Sequence, residues 1–220
     1  MKLATADLDL QENVAEELAF DPRLDGAAAI GVAAKDGVVT LTGRVDTYAK
    51  KVAAEEAAKR VDGVKGLAAD LTVELPEMHR RSDADIVAAA LNVLAWDLSV
   101  PRDAVRVQAQ NGWLTLEGTV DWYYQKERAE HVVRNLAGVR GLTNHIDLRP
   151  RVTLPAVKES LRRAFKRHAE IDADHVMVET NASMVTLRGT VHSWAEREDA
   201  THAAFSVPGV TVVENLTTVV

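Results

Sequence analysis

The side chains in this sequence that could do chemistry most directly are seven histidines, which can ligate a metal or act as general acid and base. A zinc site needs three converging ligands, and two histidines four residues apart on a helix are its usual signature. No two of the seven have that spacing. The chain also lacks cysteine, a Gly-x-Ser-x-Gly turn and a glycine-rich phosphate loop. We therefore expect no catalytic residue, no metal site and no cofactor, and predict that the protein is not an enzyme.

A second group of candidate residues is basic and could bind an anionic surface. Three of its members, Lys158, Arg162 and Lys166, recur at every fourth position, so they form one stripe on a predicted helix. Each positive charge next to an anionic membrane contributes up to about 1 kcal/mol of binding free energy. The alternative, an ordinary solvated helix face, is the commoner meaning of such a stripe. The candidate contact residues are Lys158, Arg162, Arg163, Lys166 and Arg167.

Aromatic residues form a third candidate. One position is aromatic in each of three repeats, and such a shared position predicts packing in the core of each repeat. Its occupants are Tyr48, Tyr123 and Trp194. Trp122 and Tyr124 are additional, and because the entrance of a helix is usually exposed, we predict them at an interface, between repeats rather than with an external partner. Trp96 and Trp113 have no counterpart in the other repeats and are assigned no function.

These candidates lie on an internal repeat. Segments 37–45, 112–120 and 183–191 align, each around an anchor glycine within an apolar run. The anchors, Gly43, Gly118 and Gly189, are 75 and 71 residues apart, and a Gly-Val pair follows each of them after 20 residues. The chain is therefore predicted to contain three copies of one unit, at 1–75, 76–150 and 151–220. The repeat glycines, expected to serve backbone geometry rather than ligands, are Gly43, Gly63, Gly118, Gly138, Gly189 and Gly209.

Each copy has the same predicted order of elements. A helix with apolar residues at helical spacing is followed by two alternating strands, an alanine-rich second helix and a third strand. Asp36–Gly37 and Asn111–Gly112 predict tight hairpins, whereas Ala182–Ser183 in the third copy predicts a different turn. An anchor glycine inside a strand indicates a bulge or the close approach of another backbone. The fold class is therefore α+β: three tandem α-β-β-α-β domains, each a three-stranded mixed sheet with two helices packed on one face.

The charge and the N-terminal sequence limit the function further. The chain has 26 Lys and Arg against 33 Asp and Glu, a net charge of −7, which argues against nucleic-acid binding. Acidic residues from Asp7 onwards interrupt any apolar signal segment, and no apolar run approaches the ~20 residues needed to span a bilayer. We therefore expect a cytoplasmic protein without a transmembrane segment, whose contact with any membrane is peripheral. The oligomeric state and the packing of the three copies remain open.

The repeat resembles a known family. The pattern is Leu-x-Gly-x-Val, a residue that opens a helix, an alanine-rich helix, and then Gly-Val followed by a strand containing Asn. This pattern is similar to the BON domain, named after bacterial osmotically inducible and nodulation proteins. Asn144 and Asn215 match the asparagine of the family, whereas the first copy has Ala69. The helix-opening residues, usually Ser or Thr, are Thr47, Trp122 and Ser193.

The resemblance implies a function as well as a fold. Members of the family are non-enzymatic modules of envelope and stress-response proteins, and several contact phospholipid surfaces or client proteins. We therefore expect a non-catalytic module associated with osmotic or envelope stress that binds anionic phospholipid surfaces or protein partners. The alternative is a cytoplasmic sensor of a small ligand or of potassium, since one relative in the family binds potassium.

Overall fold

The three copies each build a separate three-stranded sheet. The computed structural model describes residues 2–25, 30–149 and 175–220. The first copy contains α1 (Lys2–Phe20), β1 (Gly31–Lys35), β2 (Val38–Val45), α2 (Tyr48–Arg60) and β3 (Gly66–Val73). The second contains α3 (Asp83–Trp96), β4 (Val105–Gln110), β5 (Trp113–Val120), α4 (Tyr123–Val133) and β6 (Gly141–Leu148). The third contains β7 (Val176–Asn181), β8 (Met184–Val191), α5 (Trp194–Phe205) and β9 (Val212–Val219). One-turn 3-10 helices span Pro22–Leu24 and Glu77–His79.

All three sheets have the same mixed topology. The middle strand pairs antiparallel with the strand before it and parallel with the strand after the second helix, so the sheet orders are β1-β2-β3, β4-β5-β6 and β7-β8-β9. A parallel pair requires a crossover connection, and the second helix of each copy supplies it. The predicted α+β class with three mixed sheets is confirmed. The first helix predicted for the third copy lies outside the described residues.

In the first two copies, both helices bury their apolar stripes against one face of the sheet. In the first copy, Val14 on α1 and Ala54 on α2 join Val39 and Leu41 of β2 in one buried cluster. Ile86 of α3 joins the equivalent cluster of the second copy. The alanines of the second helices are small, so these helices lie close to the strands while the intervening strand residues face solvent. The predicted helical and strand periodicities are confirmed in the described part of the chain.

The hairpin turns follow their sequences. Asp36 and Gly37 have φ of 52° and 81°, and the equivalent Asn111–Gly112 turn has φ of 53° and 80°. Two left-handed residues in succession define the type I′ turn that Asx-Gly sequences favour. The third copy also has a two-residue loop, because Asn181 pairs with Met184, but only Ala182 in that loop has a positive φ, of 51°. The turn in the third copy therefore differs in type, as predicted.

The anchor glycines allow a neighbouring backbone to approach closely. Gly118 and Gly189 have φ of 149° and 123°, inside strands that otherwise alternate regularly. A Cβ atom added at Gly118 would lie 2.0 Å from the carbonyl oxygen of Ala104, and one added at Gly189 would lie 2.0 Å from that of His175. Each of these carbonyl groups belongs to the residue directly before the first strand of its copy. The predicted close approach of another backbone is confirmed at these two glycines.

A half-buried asparagine fastens the third strand to the second helix in two copies. Asn144 donates from Nδ2 to the carbonyl oxygen of Lys126 at 3.2 Å and to Glu130 Oε2 at 3.0 Å, and its Oδ1 accepts from the Ile146 amide. Asn215 makes the same type of contact with the carbonyl oxygen of Arg197 at 2.9 Å. One amide thereby satisfies backbone groups of two elements that the parallel crossover brings together.

The first copy has Ala69 in place of this asparagine, and the contacts of Lys51 and Glu55 on α2 differ accordingly. Ala69 pairs with Leu41, the position equivalent to that of Asn144 opposite Leu116. Lys51 provides another hydrogen bond between α2 and β3, because its Nζ donates to the carbonyl oxygen of Leu71 at 3.1 Å. Glu55 takes the place of Glu130, and burial raises the pKa of its carboxyl group.

We expect Ala69→Asn to stabilise the first copy by roughly 0.5–1.5 kcal/mol, because the new amide can donate to Glu55 and to the helix backbone. The pKa of Glu55 should fall towards its ordinary value, because a hydrogen bond favours the charged form. Urea unfolding and carboxyl NMR titration measure the two effects. Asn144→Ala is the complementary change and should destabilise the second copy by about 1–3 kcal/mol. If both variants were as stable as the wild type, this role of the asparagine would be contradicted.

Candidate functional site

The second helices of the three copies contact one another. Tyr123 at the start of α4 stacks on Phe205 at the end of α5, with ring centroids 3.9 Å apart and planes within 3°. Arg134, which caps α4, lies 3.2 Å from Glu56 of α2. Lys59 of α2 lies 4.0 Å from Glu198 of α5. Each pair of helices is therefore in contact, and we call this meeting of α2, α4 and α5 the helix junction.

The shared aromatic position supplies the contacts of this junction in cyclic order. Tyr48 of the first copy packs against the core of the second, Tyr123 of the second stacks on the third, and Trp194 of the third packs against the core of the first. Packing against a core was predicted for these residues, but the core is that of the next copy, which corrects the prediction. A repeat reveals equivalent burial at three positions, but it does not reveal which neighbour covers them.

Burial and acidic neighbours control the titration of the junction tyrosines. Burial, followed by the charges of Glu127, Glu130 and Glu198, raises the pKa of Tyr123 to about 12. The pKa of Tyr48 is also raised, first by burial and then by Glu130. Both phenols therefore remain neutral at physiological pH and pack as aromatic surface rather than acting as proton acceptors.

Trp194 has a polar atom that the junction does not satisfy. Its Nε1 is buried without a hydrogen-bond acceptor among the described residues. Two cations lie over its ring: Lys59 Nζ at 5.4 Å and the Arg197 guanidinium at 5.1 Å from the centroid. The indole therefore contributes apolar area and cation–π contacts to the interface, while its N–H carries a cost.

A chain of ion pairs ties the first copy to the second. Asp21, which is buried at the end of α1, lies 2.7 Å from Arg23 and 2.9 Å from Arg60. Hydrogen bonding to Arg23, opposed by burial, holds the pKa of this carboxyl group well below its usual range. Arg23 continues to Glu56 at 2.6 Å, and Glu56 is also the partner of Arg134 in the second copy. The end of α1 is thereby coupled to the helix junction.

His202 of the third copy contacts Glu127 of the second copy at the helix junction. The Nε2 atom of His202 lies 3.0 Å from Glu127 Oε1 of the second copy. That hydrogen bond, opposed by burial, raises the pKa of His202, and the charges of Glu127, Glu198 and Asp199 raise it further. A raised folded-state pKa gives stabilisation that is complete below the unfolded pKa and is lost as the pH rises through the folded value.

We expect the wild type to exceed Glu127→Gln in stability by about 0.5–1 kcal/mol near pH 6, because both groups are half exposed to solvent. The difference should shrink as the pH rises past the raised pKa of His202. Urea unfolding of both proteins across this pH range measures it. A constant difference between the two proteins at all pH values would show that protonation of His202 does not contribute.

The residues predicted as site residues fall in different places. Trp122 precedes α4 and lines a crevice between the second and third copies with Phe205 and Gly209. In place of a side-chain cap, Gln125 Oε1 accepts from the Trp122 amide at 3.0 Å. Tyr124 points outward and is 56% exposed. The interface role of Trp122 and Tyr124 stays a prediction. The basic candidates Lys158, Arg162, Arg163, Lys166 and Arg167 lie outside the described residues.

The predicted repeat glycines occupy two kinds of position. Three of them lie in the middle strands, and the other three follow the ends of the second helices, where each has a positive φ. The strand glycines are Gly43, Gly118 and Gly189, and the helix-end glycines are Gly63, Gly138 and Gly209.

Sequence reasoning missed an exposed apolar surface at the end of α3. Trp96, the last residue of this helix, is 81% exposed, Leu98 is fully exposed and Leu91 is half exposed. They border a cleft of about 470 Å³, and we call Leu91, Trp96 and Leu98 the α3 tip. Phe20 occupies the equivalent place at the end of α1 and is 83% exposed. The prediction that Trp96 has no counterpart in the other repeats is wrong, because Phe20 ends α1 as Trp96 ends α3.

One signal in the sequence could have revealed this pair. Each aromatic directly precedes an aspartate that forms an ion pair with an arginine. Asp21 pairs with Arg23, and Asp97 lies 2.7 Å from Arg128. Asp97 also accepts from the Ser99 amide at 2.9 Å, which holds the turn after the helix. The recurring aromatic-Asp dipeptide therefore marks the same helix end in two copies.

The described residues contain neither a membrane-spanning helix nor a metal-binding cluster. None of the helices there is both long and apolar enough to cross a bilayer. The same residues contain no group of three or more His, Asp or Glu side chains placed to hold a metal ion. Potassium binding through backbone carbonyls, the predicted alternative function, stays a prediction.

Comparison with known proteins defines the class. Residues 6–74, 82–150 and 154–220 each match the family model of the BON domain. The chain therefore belongs to the BON domain family, as its sequence resemblance predicted. Over 121 residues it is 32% identical to osmotically inducible protein Y of Escherichia coli strain K12, in an alignment that covers 53% of this chain and 60% of that protein. The aligned chain thus spans less than two thirds of the length of this relative.

Solved structures with low similarity were also found. Two structures of CdsD, a structural protein of the type III secretion system of Chlamydia trachomatis, align with 96% and 97% of this chain and with 92% and 98% of their own chains. Their sequence identities are 13% and 12%, and the TM-score is 0.27 in both cases.

Proposed function

We propose that this protein is a non-catalytic, stress-associated binding module that contacts anionic phospholipid surfaces through the ends of its first helices. The BON family membership and the likeness to an osmotically inducible protein support a binding module linked to osmotic stress. The exposure of the α3 tip carries the lipid part of the proposal. Surface-exposed large apolar side chains that lie next to one another mark interaction sites in soluble domains.

The chemistry of the α3 tip suits a membrane interface. Trp96 offers a large ring with an N–H at one edge, and such amphipathic rings concentrate at the level of lipid headgroups. Leu98 and Leu91 add aliphatic surface beside it, and each buried Å² of apolar area contributes about 25 cal/mol. Arg102 lines the same cleft and makes no ion pair with another described residue. A lipid phosphate group above the tip would neutralise the positive charge of Arg102.

The repeat extends this surface beyond one copy. Phe20 is exposed at the equivalent helix end of the first copy. In the repeat register, Arg167 of the predicted basic stripe is the counterpart of these aromatics in the third copy. Several weak contacts on one chain bind far more tightly together than singly when their geometry allows simultaneous engagement. The basic stripe accounts for a preference for anionic lipid, and the aromatics account for insertion.

Vesicle co-sedimentation tests the proposal. We expect wild-type protein to bind vesicles of phosphatidylglycerol and phosphatidylcholine more strongly than vesicles of phosphatidylcholine alone. Trp96→Ser combined with Leu98→Ser should reduce binding to both by at least about tenfold, since more than 1.4 kcal/mol of apolar transfer is lost. Lys158→Glu, Arg162→Glu and Lys166→Glu together should abolish the preference for the anionic vesicles.

Trp113→Ser is the matched control, because Trp113 is a 51% exposed tryptophan of the same copy at the start of β5, next to the turn that Asp83 fastens to the opposite end of α3. It should bind as the wild type does. Unchanged binding of the Trp96 and Leu98 variant would contradict insertion by the α3 tip. Unchanged binding of the triple glutamate variant would remove the basic stripe from the proposal.

A further inference from the structure

A pocket at the start of α3 gathers three arginines. Its volume is about 320 Å³, and it lies where the connection between the first two copies meets the second copy. The linker contributes Arg80 and Arg81, the start of β6 contributes Arg140, and Asp83 and the Asn111–Gly112 turn complete the wall. We call this the arginine pocket. It lies at the opposite end of α3 from Trp96, about 20 Å away for a helix of 14 residues.

Within residues 2–25, 30–149 and 175–220, the arginines of this pocket make no ion pair with a carboxylate. Elsewhere in the chain, Arg128 and Arg134 pair with carboxylates within 3.2 Å. Arg81 donates instead to the carbonyl oxygens of Met78 and Arg80, and Arg80 donates to that of Leu75 at 3.4 Å. Across the described residues, no side chain or carbonyl accepts from the guanidinium of Arg140. Three unneutralised guanidinium groups around one cavity are notable in a chain whose net charge is −7.

The first atoms of two of these side chains pack against glycine backbone. The stem of Arg140 passes over Gly112, where an added Cβ would lie 3.1 Å from its Cγ. Arg81 passes over Gly138, where an added Cβ would lie 2.9 Å from its Cβ. The Arg140 amide also donates to the carbonyl oxygen of Gly112 at 2.8 Å. These contacts fix where the stems of Arg81 and Arg140 leave the backbone, while the guanidinium groups themselves are exposed and open to a ligand.

The carboxylate of the pocket is already engaged by the protein. Asp83 accepts from the Asn111 and Gly112 amides, both at 2.8 Å, and so fastens the β4–β5 turn to the start of α3. The side chain of Ser82 is turned towards Asp85, with Oγ 2.6 Å from Oδ2. Three guanidinium groups and one carboxylate leave the lining with two positive charges in excess. A dianion would neutralise them.

We propose that the arginine pocket binds one phosphate monoester group per chain. Guanidinium groups recognise phosphate oxygens through paired, charge-assisted hydrogen bonds, and a monoester carries close to two negative charges at neutral pH. The volume lies at the lower end of the range for small-molecule sites, about 300–1,000 Å³. The site is confined to the second copy, because Lys65 and Thr211 stand where this copy has Arg140. The ligand is a soluble phosphate monoester or the headgroup of phosphatidic acid.

Calorimetric titration with glycerol 3-phosphate tests the soluble source. The wild type should bind it in a 1:1 ratio, and Arg140→Gln and Arg81→Gln should each lower the affinity at least tenfold. Lys65→Gln is the matched control: Lys65 packs over Gly37 as Arg140 packs over Gly112, so this variant should bind as the wild type does. Near-wild-type thermal unfolding of the variants will show that they are folded.

Co-sedimentation with vesicles of phosphatidic acid in phosphatidylcholine tests the lipid source, with the Trp96→Ser and Leu98→Ser substitutions present so that insertion by the α3 tip is removed. Binding that Arg140→Gln weakens, in either experiment, supports the pocket and identifies its source. Absence of glycerol 3-phosphate binding at millimolar concentration, together with vesicle binding unaffected by Arg140→Gln and Arg81→Gln, would overturn it. The lipid proposal for the α3 tip can fail independently, since the titration contains no membrane.

Discussion

Replacing Gly118 with alanine is expected to destabilise the second copy by roughly 3 kcal/mol, with Gly189→Ala doing the same to the third. Two costs combine. The φ of 149° is a conformation that side chains with a Cβ rarely adopt, and the new methyl group would lie 2.0 Å from the carbonyl oxygen of Ala104. The hairpin of β4 and β5 must open to relieve the overlap.

Urea unfolding and amide hydrogen exchange measure this effect. Exchange in β4 and β5 should accelerate in Gly118→Ala, while the first copy keeps its protection. Gly66→Ala is the matched control, because its φ is not positive and an added Cβ would lie an ordinary 3.4 Å from Val38 Cγ2. If Gly118→Ala and Gly66→Ala unfold at the same urea concentration, the close approach of the Ala104 backbone does not determine the fold.

Trp194→Ala is expected to uncouple the third copy from the first. The substitution removes an indole that packs against the first-copy core and with it the ring over which Lys59 and Arg197 lie. Truncation of a large buried aromatic costs about 3–5 kcal/mol, and half-burial places this case near the lower limit. Because the helix junction links all three copies, we expect a single cooperative transition in the wild type to divide into two on calorimetric heating.

Trp194→Phe distinguishes loss of packing from loss of the indole itself. Phenylalanine keeps most of the apolar area and removes the buried Nε1, which has no acceptor among the described residues. This variant should therefore be about as stable as the wild type, with one transition. A phenylalanine variant as unstable as the alanine variant would indicate that the indole N–H has a partner. An alanine variant with one unshifted transition would show that the copies fold without the junction.

Much of this architecture could be predicted from the residues. The 20-residue interval between anchor glycines and Gly-Val pairs fixed the number of copies, and alternation and helical spacing identified the elements. These patterns are local: each depends on which face of one strand or helix is buried. The hairpin turns at Asp36 and Asn111 could also be predicted locally, because tolerance of the left-handed conformation is a property of these residue types.

The candidate sites were harder to predict, since they depend on residues distant in sequence. Arg81 and Arg140 are separated by most of the second copy, and the Asn111–Gly112 turn brings them to one pocket only after the sheet has formed. Trp96 has no tryptophan counterpart in the other copies, and Phe20 shares only its place at a helix end. Exposure is decided by what other elements leave uncovered, and no single segment encodes it.

The sequence by itself determined three copies with one mixed three-stranded sheet each, their hairpins, their strand glycines and their membership of one family, because all of these follow from short-range periodicity and the conformational preferences of individual residues. Only the tertiary structure decided that the shared aromatics reach the next copy in a ring, that His202 meets Glu127, and that three arginines face one pocket. The physical reason is that a buried apolar side chain lowers the free energy equally in any dry environment of suitable shape. Which copy provides that environment is settled when the three cores pack together.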